Sequence, residues 1–354
     1  MDLIHNLWRR HGGYWEAILS PLTLLSWVYS GAVRLRLFLY KRGIFKTRHA
    51  NCPVISIGNL TVGGTGKTPM VLLLAEYLSQ RGDGVGIVSR GYRRRNRSAL
   101  VPVSDGKHLL AEPEEAGDEP YLMAQRLPHV PVVVAADRYW GCQWLIERCG
   151  VNVILLDDGF QHVALHRDLN ILLWLDPISD CLLPRGPLRE PLLEMQRADI
   201  LIRMDHKASK PSSWRGPILQ GQVEPVVLVH VMTGRLVSWD RNPLHRVYAF
   251  CGIAAPERFF EMLSRRSIEV VGQTLFRDHH RYTLKDITAL QKQSNGLPVI
   301  TTEKDAVKLR AMRLHTSEVT VEPWDLWALR IDAHFIEPAW EHILFDRRDR
   351  WGKR

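Results

Sequence analysis

Short apolar runs without polar–apolar alternation recur through the first two thirds of the chain. Such runs indicate strands that are buried on both faces of a parallel sheet. The stretch at 69–82, between the first two runs, has helical length and ends in a glycine, so it predicts a helix. Strand, helix and strand in this order predict a doubly wound, mainly parallel α/β domain. The predicted strands are 53–58, 84–89, 130–135, 151–157, 169–175 and 199–203.

A second α/β pattern follows a polar stretch at 206–217 that is rich in lysine, serine and proline. It begins with VVLVHVMTGRLVSW at 226–239, which predicts a hairpin or a connecting ribbon. The later predicted strands are 246–253, 268–276 and 297–302, and the predicted helices are 255–267 and 303–312. We therefore predict three parts: an N-terminal segment at 1–48, a core at 49–215 and a smaller α/β domain with its ribbon at 216–354.

The N-terminal segment combines an uncharged stretch with a basic one. Residues 17–33 carry no charge, and residues 34–42 alternate basic and apolar side chains. The uncharged stretch is slightly shorter than the roughly 20 residues that a spanning helix needs. It suits a core helix packed on the domain, or a helix in the membrane interface, where tryptophans such as Trp8, Trp15 and Trp27 are typical. We favour the membrane-associated helix, because the basic residues beside it would meet anionic headgroups.

The charge distribution and the cysteine content limit the kinds of partner and the cellular compartment that we expect for this protein. The chain has 354 residues and a formal net charge of +9, and residues 1–50 hold eight Lys or Arg against two acidic residues. This asymmetry indicates an anionic partner, either a membrane or a nucleic acid. Five cysteines without a C-x-x-C pair argue against a disulfide framework and a zinc site, and they favour a reducing cytosol.

A glycine-rich loop joins the first predicted strand to the first predicted helix. It follows the phosphate-loop form G-x-x-x-x-G-K-[ST], except that Thr61 replaces the first glycine. Its glycines allow backbone amides to surround phosphate oxygens, and the helix N-terminus adds a positive dipole end. Lys67 would reach the β- and γ-phosphates, and Thr68 would offer its hydroxyl to Mg²⁺. Val62 stands where membrane-positioning switch ATPases carry a signature lysine, which disfavours that class. The predicted nucleotide-binding residues are Thr61, Val62, Gly63, Gly64, Thr65, Gly66, Lys67 and Thr68.

Two adjacent aspartates, Asp157 and Asp158, end the predicted strand 151–157. Enzymes with a phosphate-binding loop hold Mg²⁺ with an acid at the end of a neighbouring strand. One aspartate in such a place is ordinarily a helix cap. Two of them, in a chain with this loop, favour a magnesium site.

The phosphoryl acceptor separates an ATPase, which uses water, from a kinase, which uses a hydroxyl. A kinase needs a group that orients the acceptor and positive groups around the transferred phosphoryl. Arginines also occur on solvated faces, and a carboxylate such as Asp118 before a helix is often an N-cap. Residue chemistry alone leads to a phosphotransferase with a phosphate-binding loop and an acidic substrate. The candidates in loops are Arg90, Asp118, Glu119, Arg138, Arg185, Arg189, Glu190, Asp278, His279 and His280.

The order of the motifs resembles that of the tetraacyldisaccharide 4′-kinase family, which acts in the lipid A pathway of Gram-negative bacteria. The motifs are ISIGNLTVGGTGKTP, SRGY, GDEP, DDGFQH, LPRGPLREP, DHHRYT and TTEKDAVKL. The resemblance spans about residues 10–335. Arg93, directly after SRGY, departs from the glycine that the family pattern leads us to expect.

The resemblance implies transfer of the ATP γ-phosphoryl group to the 4′-hydroxyl of a tetraacyldisaccharide 1-phosphate. Asp118 would be the base at that hydroxyl, and an imidazolium at His279 would keep it ionised. Lys67 would act with this pair. Thr68, Asp158 and Glu119 would serve Mg²⁺. The other implied cleft residues are Asn59, Arg90, Arg138, Asp157, Gln161, Arg189 and Glu190.

The implied partners are ATP, Mg²⁺ and a lipid substrate at the cytoplasmic face of the inner membrane. We expect a monomer that binds no nucleic acid. A nucleic-acid-stimulated ATPase would show turnover raised by DNA or RNA and lowered by salt, but the sequence has no evident basic groove interleaved with aromatic residues. A small-molecule ligase would leave the apolar N-terminus unexplained.

Overall fold

The structure of the protein, a computed structural model, covers most of the chain. It describes residue 8 and residues 13–92, 94, 98–205, 208–315 and 324–345, without the side chains of 13–19 and 313–315. Arg93 and the side chain of Trp15 therefore lie outside the described residues.

A long N-terminal helix precedes the strands that the apolar runs predict. The elements are α1 (Gly13–Lys41), β1 (Val54–Gly58), α2 (Lys67–Gln80), β2 (Val85–Ser89), β3 (Leu100–Ser104), α3 (Pro113–Ala116), α4 (Asp118–Arg126), β4 (Val132–Ala135), α5 (Arg138–Cys149), β5 (Val153–Asp157), β6 (Leu169–Trp174) and β7 (Ile200–Arg203). The six predicted strands are confirmed as β1, β2, β4, β5, β6 and β7. The first five of these are buried at every position, as the absence of alternation indicated.

The second α/β pattern is also present. Its elements are β8 (Ile218–His230), β9 (Leu236–Val237), β10 (Arg246–Cys251), α6 (Pro256–Arg265), β11 (Glu269–Leu275), α7 (Leu284–Ser294), β12 (Val299–Thr302), α8 (Glu303–His315), β13 (Leu326–Phe335) and α9 (Trp340–Phe345). β8 and β9 pair as an antiparallel hairpin, in the place where the sequence predicted a hairpin or ribbon.

The strands join in one 13-stranded sheet of order β11-β10-β12-β13-β8-β7-β6-β1-β5-β2-β4-β3, with β9 paired to β8. Neighbours from β7 to β4 are parallel, and β3 closes that end in antiparallel orientation. The predicted α/β fold class is therefore confirmed. The β1 loop that precedes α2 and the ends of β2 and β5 lie on neighbouring strands, which places their side chains at one edge of the sheet.

β8 connects the two α/β patterns. Its first residues pair with β7 in parallel, and its longer remainder pairs with β13 in antiparallel orientation. Val307 and Ala333, from the second pattern, also pack in the same apolar core as β1 and α2. The division at 215 and 216 falls in the loop before β8 and stays a prediction.

α1 lies on the molecule by one face. Four side-chain hydrogen bonds join that face to the rest of the protein: Ser26 to the Leu182 carbonyl, Tyr29 to the Arg189 carbonyl, Arg36 to the Gln161 carbonyl, and Arg185 to the Thr23 hydroxyl. The other face is apolar and open, with Leu24 65% and Trp27 70% exposed. Residues Ser20–Lys41 are long and apolar enough to cross a membrane. A core helix, the alternative considered above, is wrong because Ser26 is the one buried side chain among residues 20–41, the part of this helix whose side chains the structure describes.

Candidate active site

The phosphate-binding loop lies between β1 and α2, as predicted. Gly63 and Gly66 have φ values of 112° and 85°, which glycine adopts without strain. α2 begins at Lys67, directly after Gly66, so no capping side chain covers its first N–H groups. These N–H groups are available to the oxygens of a phosphate.

A second glycine position brings the magnesium motif close to the loop strand. A Cβ at Gly58, the last residue of β1, would lie 2.6 Å from Cβ of Phe160 and 2.8 Å from its backbone nitrogen. Only glycine therefore allows the segment that carries Asp158 to pass so near the start of the loop.

Asp158 is held between two cations. Lys67 Nζ lies 3.7 Å from Oδ1 of Asp158, and Arg189 Nη1 donates to its two carboxylate oxygens at 3.0 and 2.8 Å. Burial alone would raise the pKa of Asp158, but the charges of Lys67 and Arg189 outweigh it and hold this pKa well below its usual range. Its φ of 53° is costly for a non-glycine residue, and such strain clusters at functional sites. Asp158 is therefore an ionised carboxylate beside the loop lysine.

Two amide side chains complete this network. Lys67 Nζ donates to Oδ1 of Asn59 at 3.3 Å, and Gln161 Nε2 donates to the Asn59 carbonyl at 2.9 Å. Arg189 Nη1 also donates to Oε1 of Gln161 at 3.2 Å. The structure thus brings Asn59, Gln161 and Arg189, all predicted cleft residues, to Lys67 and Asp158.

Asp157 differs from its neighbour in environment. It is buried at the end of β5 and accepts a hydrogen bond from the Ser89 hydroxyl at 2.9 Å. Burial, with the nearby charges of Glu119 and Asp158, raises the pKa of Asp157 to about 7. Its Oδ1 is buried without a hydrogen-bond partner. A cation at this place would satisfy that oxygen and favour its ionised form.

Asp118 faces the second α/β part from the start of α4. His279 Nδ1 lies 3.1 Å from Oδ2 of Asp118, and Lys308 Nζ lies 3.5 Å from the same oxygen. Burial alone would raise the pKa of Asp118, but the hydrogen bond from His279 and the charges of Lys308 and Lys304 outweigh it and lower this pKa. The N-cap of α4 is Gly117, so helix capping does not explain Asp118.

The structure distinguishes the two adjacent histidines. His279 reaches Asp118, whereas His280 Nε2 lies 3.3 Å from Oδ2 of Asp286. His279 has a φ of 59°, and its backbone N–H donates to the Gly252 carbonyl at 3.0 Å. The strained backbone is thus held by Gly252, the residue directly after β10, and the ring reaches Asp118.

Glu119 connects the two groups of charges. Lys304 Nζ lies 3.0 Å from its Oε1. The charge of Lys304 is the main cause that lowers the pKa of Glu119, and the charge of Lys67 contributes to the same effect. Glu119 therefore contacts Lys304 and is near enough to Lys67 for the lysine charge to act on it.

The remaining predicted cleft residues make no hydrogen bond to Asp158 in the described contacts, although the charge of Asp158 acts on Arg138. Arg138 is buried and donates to the Ala136 carbonyl at 3.0 Å, and burial with the charge of Arg90 lowers its pKa to about 10. Arg90 is exposed at the end of β2. Glu190 is 2% exposed and is ion-paired with Arg197. Burial, the largest influence on Glu190, raises its pKa.

The donor set suits Mg²⁺ better than a soft metal. Among the described residues no three His, Cys, Asp or Glu side chains form a ready-made metal cluster. Mg²⁺ typically uses one or two carboxylates and completes its shell with water and phosphate oxygens. Asp158, the unpartnered oxygen of Asp157 and the Thr68 hydroxyl at the start of α2 fit that habit. Glu119 is engaged with Lys304 in this structure.

Sequence reasoning missed two lysines and one arginine of the site. Lys304 and Lys308 of α8 reach Glu119 and Asp118. Their spacing of four residues on a predicted helix was a signal, because it places both side chains on one face. Arg258 of α6 donates to the Gly64 carbonyl of the loop at 3.0 Å, a contact that no local pattern indicates.

Comparison with known proteins shows which family the chain belongs to. The sequence profile of the LpxK family, described as tetraacyldisaccharide-1-P 4′-kinase, matches residues 18–348. The chain belongs to the LpxK family. The resemblance seen in the motifs is thereby confirmed.

Relatives in the LpxK family match over most of their length. A tetraacyldisaccharide 4′-kinase of Syntrophus aciditrophicus (strain SB) is 39% identical over 322 residues, which cover 83% of this chain and 86% of that protein. One from Geobacter metallireducens is 40% identical over 310 residues, 82% of this chain and 89% of that protein. A crystal structure of "apo" form LpxK from Aquifex aeolicus in complex with ATP has a TM-score of 0.78 and 35% identity, and covers 94% of this chain and 99% of that one.

One histidine of this LpxK-family chain should make folding sensitive to acid. Burial, reinforced by the charge of Arg138, lowers the pKa of His162 to about 4. An unfolded histidine has a pKa near 6.5, so between these values the unfolded chain binds a proton that the folded chain does not. The free energy of unfolding should therefore fall as the pH drops from about 6.5 to 4, by at most about 1.4 kcal/mol per pH unit from this residue.

Urea unfolding of the parent and of His162→Gln at neutral and mildly acidic pH measures this effect. The variant should lose less stability on acidification than the parent. Equal losses in the two proteins would contradict the prediction.

Proposed function

We propose that the protein is an ATP-dependent kinase that phosphorylates the 4′-hydroxyl of a tetraacyldisaccharide 1-phosphate. The observation that carries this proposal is the pairing of Asp118 with His279 at 3.1 Å, in a chain whose phosphate-binding loop lysine, Lys67, faces Asp158. The family's descriptions name the same activity for its other members. The direct test incubates γ-labelled ATP with a tetraacyldisaccharide 1-phosphate in detergent and looks for a labelled lipid. No labelled lipid from folded, ATP-binding protein would refute the proposal.

The cation network has a clear part in this reaction. Phosphoryl transfer places charge on the transferred group, and catalysis consists mainly of positioning and charge stabilisation. Lys67 and the N–H groups at the start of α2 would hold the β- and γ-phosphates. Asp158 and Thr68 would hold Mg²⁺, with Asp157 beside them. An Mg²⁺ ion held by these residues would supply positive charge against the charge of the phosphate oxygens.

Asp118 would orient the acceptor hydroxyl and take its proton. Its pKa is lowered, so it is ionised and ready to accept a hydrogen bond from that hydroxyl. A weak base is adequate here, because a loose phosphoryl-transfer transition state requires little nucleophile deprotonation before bond formation. The 4′-oxygen gains the phosphoryl group, ADP leaves, and the hydroxyl proton moves to Asp118.

We also propose that α1 lies in the inner membrane interface on the cytoplasmic side and so brings a monomeric enzyme to its lipid substrate. Its open apolar face and the basic residues near its end, such as Arg34 and Lys41, support this proposal. Nothing in the reaction requires a nucleic acid.

Replacing Leu24, Leu25, Trp27 and Val28 together with glutamine tests the membrane contact. Each buried apolar side chain contributes about 1.5–3 kcal/mol, so binding to anionic lipid vesicles should weaken at least about 100-fold. Trp140→Gln is the control, because Trp140 is 57% exposed on α5 and belongs to another surface. Equal co-sedimentation of the two variants with vesicles would contradict the anchor.

A further inference from the structure

Lys304 lies at the centre of the Asp118–His279 cluster, although no function was assigned to it above. It is the second residue of α8, the helix that begins directly after β12. Its Nζ lies 3.0 Å from Oε1 of Glu119, 3.2 Å from Nε2 of His279 and 3.7 Å from Oδ1 of Asp278. The side chain is only 17% exposed. Burial would lower its pKa, but the charges of Glu119 and Asp278 outweigh burial and raise it, so Lys304 is an ammonium.

The contact between Lys304 and His279 determines which ring nitrogen carries a proton. An ammonium group has three donors and no acceptor. A hydrogen bond at 3.2 Å from Lys304 Nζ therefore requires a lone pair on Nε2 of His279. The ring proton is then on Nδ1, which donates to Oδ2 of Asp118 at 3.1 Å.

The opposite protonation of His279 conflicts with the same distances. An imidazolium, which the sequence led us to expect, would place its Nε2–H against an N–H of Lys304 at 3.2 Å. Oδ2 of Asp278 lies 3.7 Å from Nε2, which is too far for a hydrogen bond. The ammonium groups of Lys304 and Lys308 lower the pKa of Asp118, and the contacts of the His279 ring favour a proton on Nδ1 and a lone pair on Nε2.

We propose that Lys304 is a positioning residue that keeps the proton of His279 on Nδ1 and so aims the Asp118 carboxylate. The proposal rests on the proposed function in that Asp118 is taken to be the acceptor of the hydroxyl proton. His279 keeps its Nδ1 proton during the reaction, and the proton of the 4′-hydroxyl goes to Asp118. Lys304 belongs to the second α/β part and Asp118 to the first. The Asp118 carboxylate is therefore oriented only when these two parts are in contact.

The tautomer is measured directly by ¹⁵N spectroscopy of histidine-labelled protein near neutral pH without nucleotide. His279→Gln identifies the His279 signals by their loss. The parent should show a protonated Nδ1 and an unprotonated Nε2, and Lys304→Met should lose this pattern. Lys304→Arg, another side chain that only donates, should restore it. Lys285→Met, which removes an exposed ammonium from α7, should leave it unchanged.

Two spectra would overturn the proposal. One is a parent spectrum with the proton of His279 on Nε2, or on both nitrogens. The other is a Lys304→Met spectrum identical to that of the parent. If Lys304→Met fails to fold in a thermal denaturation assay, Lys304→Leu, which also lacks a donor, replaces it and must likewise lose the Nδ1 pattern, whereas Lys304→Arg must keep it.

Kinetic measurements distinguish two roles of Lys304: orienting Asp118 through His279, and neutralising Glu119. Loss of a residue that orients a reacting group commonly costs about 10–100-fold. Lys304→Met should therefore lower kcat by about that factor at saturating Mg²⁺, with little change in KM for ATP, and Lys304→Arg should recover most of it. A shift confined to the Mg²⁺ concentration that gives half activity would assign Lys304 to Glu119 and overturn the proposal.

The two proposals fail in different ways. If Asp118→Asn keeps full turnover, Asp118 is not the acceptor of the proton, although the spectra still test the tautomer. If Asp118→Asn is inactive but the spectra do not depend on Lys304, the kinase mechanism stands and the role of Lys304 does not.

Discussion

Replacing Asp118 with alanine should lower kcat by about 10²-fold or more, the usual loss for a missing acid–base group. The carboxylate is the only group in our mechanism that orients the acceptor hydroxyl. ATP binding should survive, because Lys67 and the loop amides do not touch Asp118 in the described contacts. Turnover in the labelled-lipid assay and ATP affinity by calorimetry measure the two effects.

Asp118→Asn is the matched variant, because it preserves shape and removes the charge. It should be nearly as inactive as the alanine variant, since an amide does not take the proton. Asp286→Asn is a control: Asp286 pairs with the neighbouring histidine, His280, and has no part in the mechanism. Near-normal turnover in either Asp118 variant would remove this residue from the mechanism.

Replacing Lys67 with alanine should produce the second large loss. One removed group that stabilises transition-state charge costs about 10²–10³-fold in kcat. The same change leaves Asp158 with Arg189 as its close cation, at 2.8 Å, so the acidic site should remain ionised. The loss should therefore appear in kcat at saturating ATP and Mg²⁺.

Lys292→Ala, which removes an exposed lysine from α7, provides the comparison for a simple loss of charge. Thermal denaturation should show that both variants are folded. Activity of Lys67→Ala equal to that of Lys292→Ala would refute the assignment of the loop.

The parallel core was predictable because its physics is local. A strand buried on both faces needs an unbroken apolar run, and β1, β2 and β5 have one. The edge strand β3 was missed, since its sequence LVPVS contains a proline and its burial alternates at the start. β13 was missed because its apolar beginning gives way to the alternating RIDAHF, whose pairing with β8 is set by tertiary contact.

Part of the candidate site was predictable from local sequence patterns, and part of it was not. Lys67 and Asp158 stand at the ends of strands, where a motif and a parallel sheet together predict proximity. Asp118 and His279 are 161 residues apart, so no local pattern brings them together, and only the resemblance did so. The charge on His279 stays a prediction, because it depends on Lys304, a contact from α8 that pairwise chemistry does not reveal.

The attachment of α1 affects how the enzyme would encounter its substrate. Its hydrogen bonds to the segment 182–189 hold the helix beside Arg189, which itself binds Asp158. A helix fixed in this way would keep the cleft at a constant height above the bilayer. Catalysis would then depend on the number of acceptor lipids per unit area, and inert lipid added at constant bulk concentration would slow turnover by surface dilution.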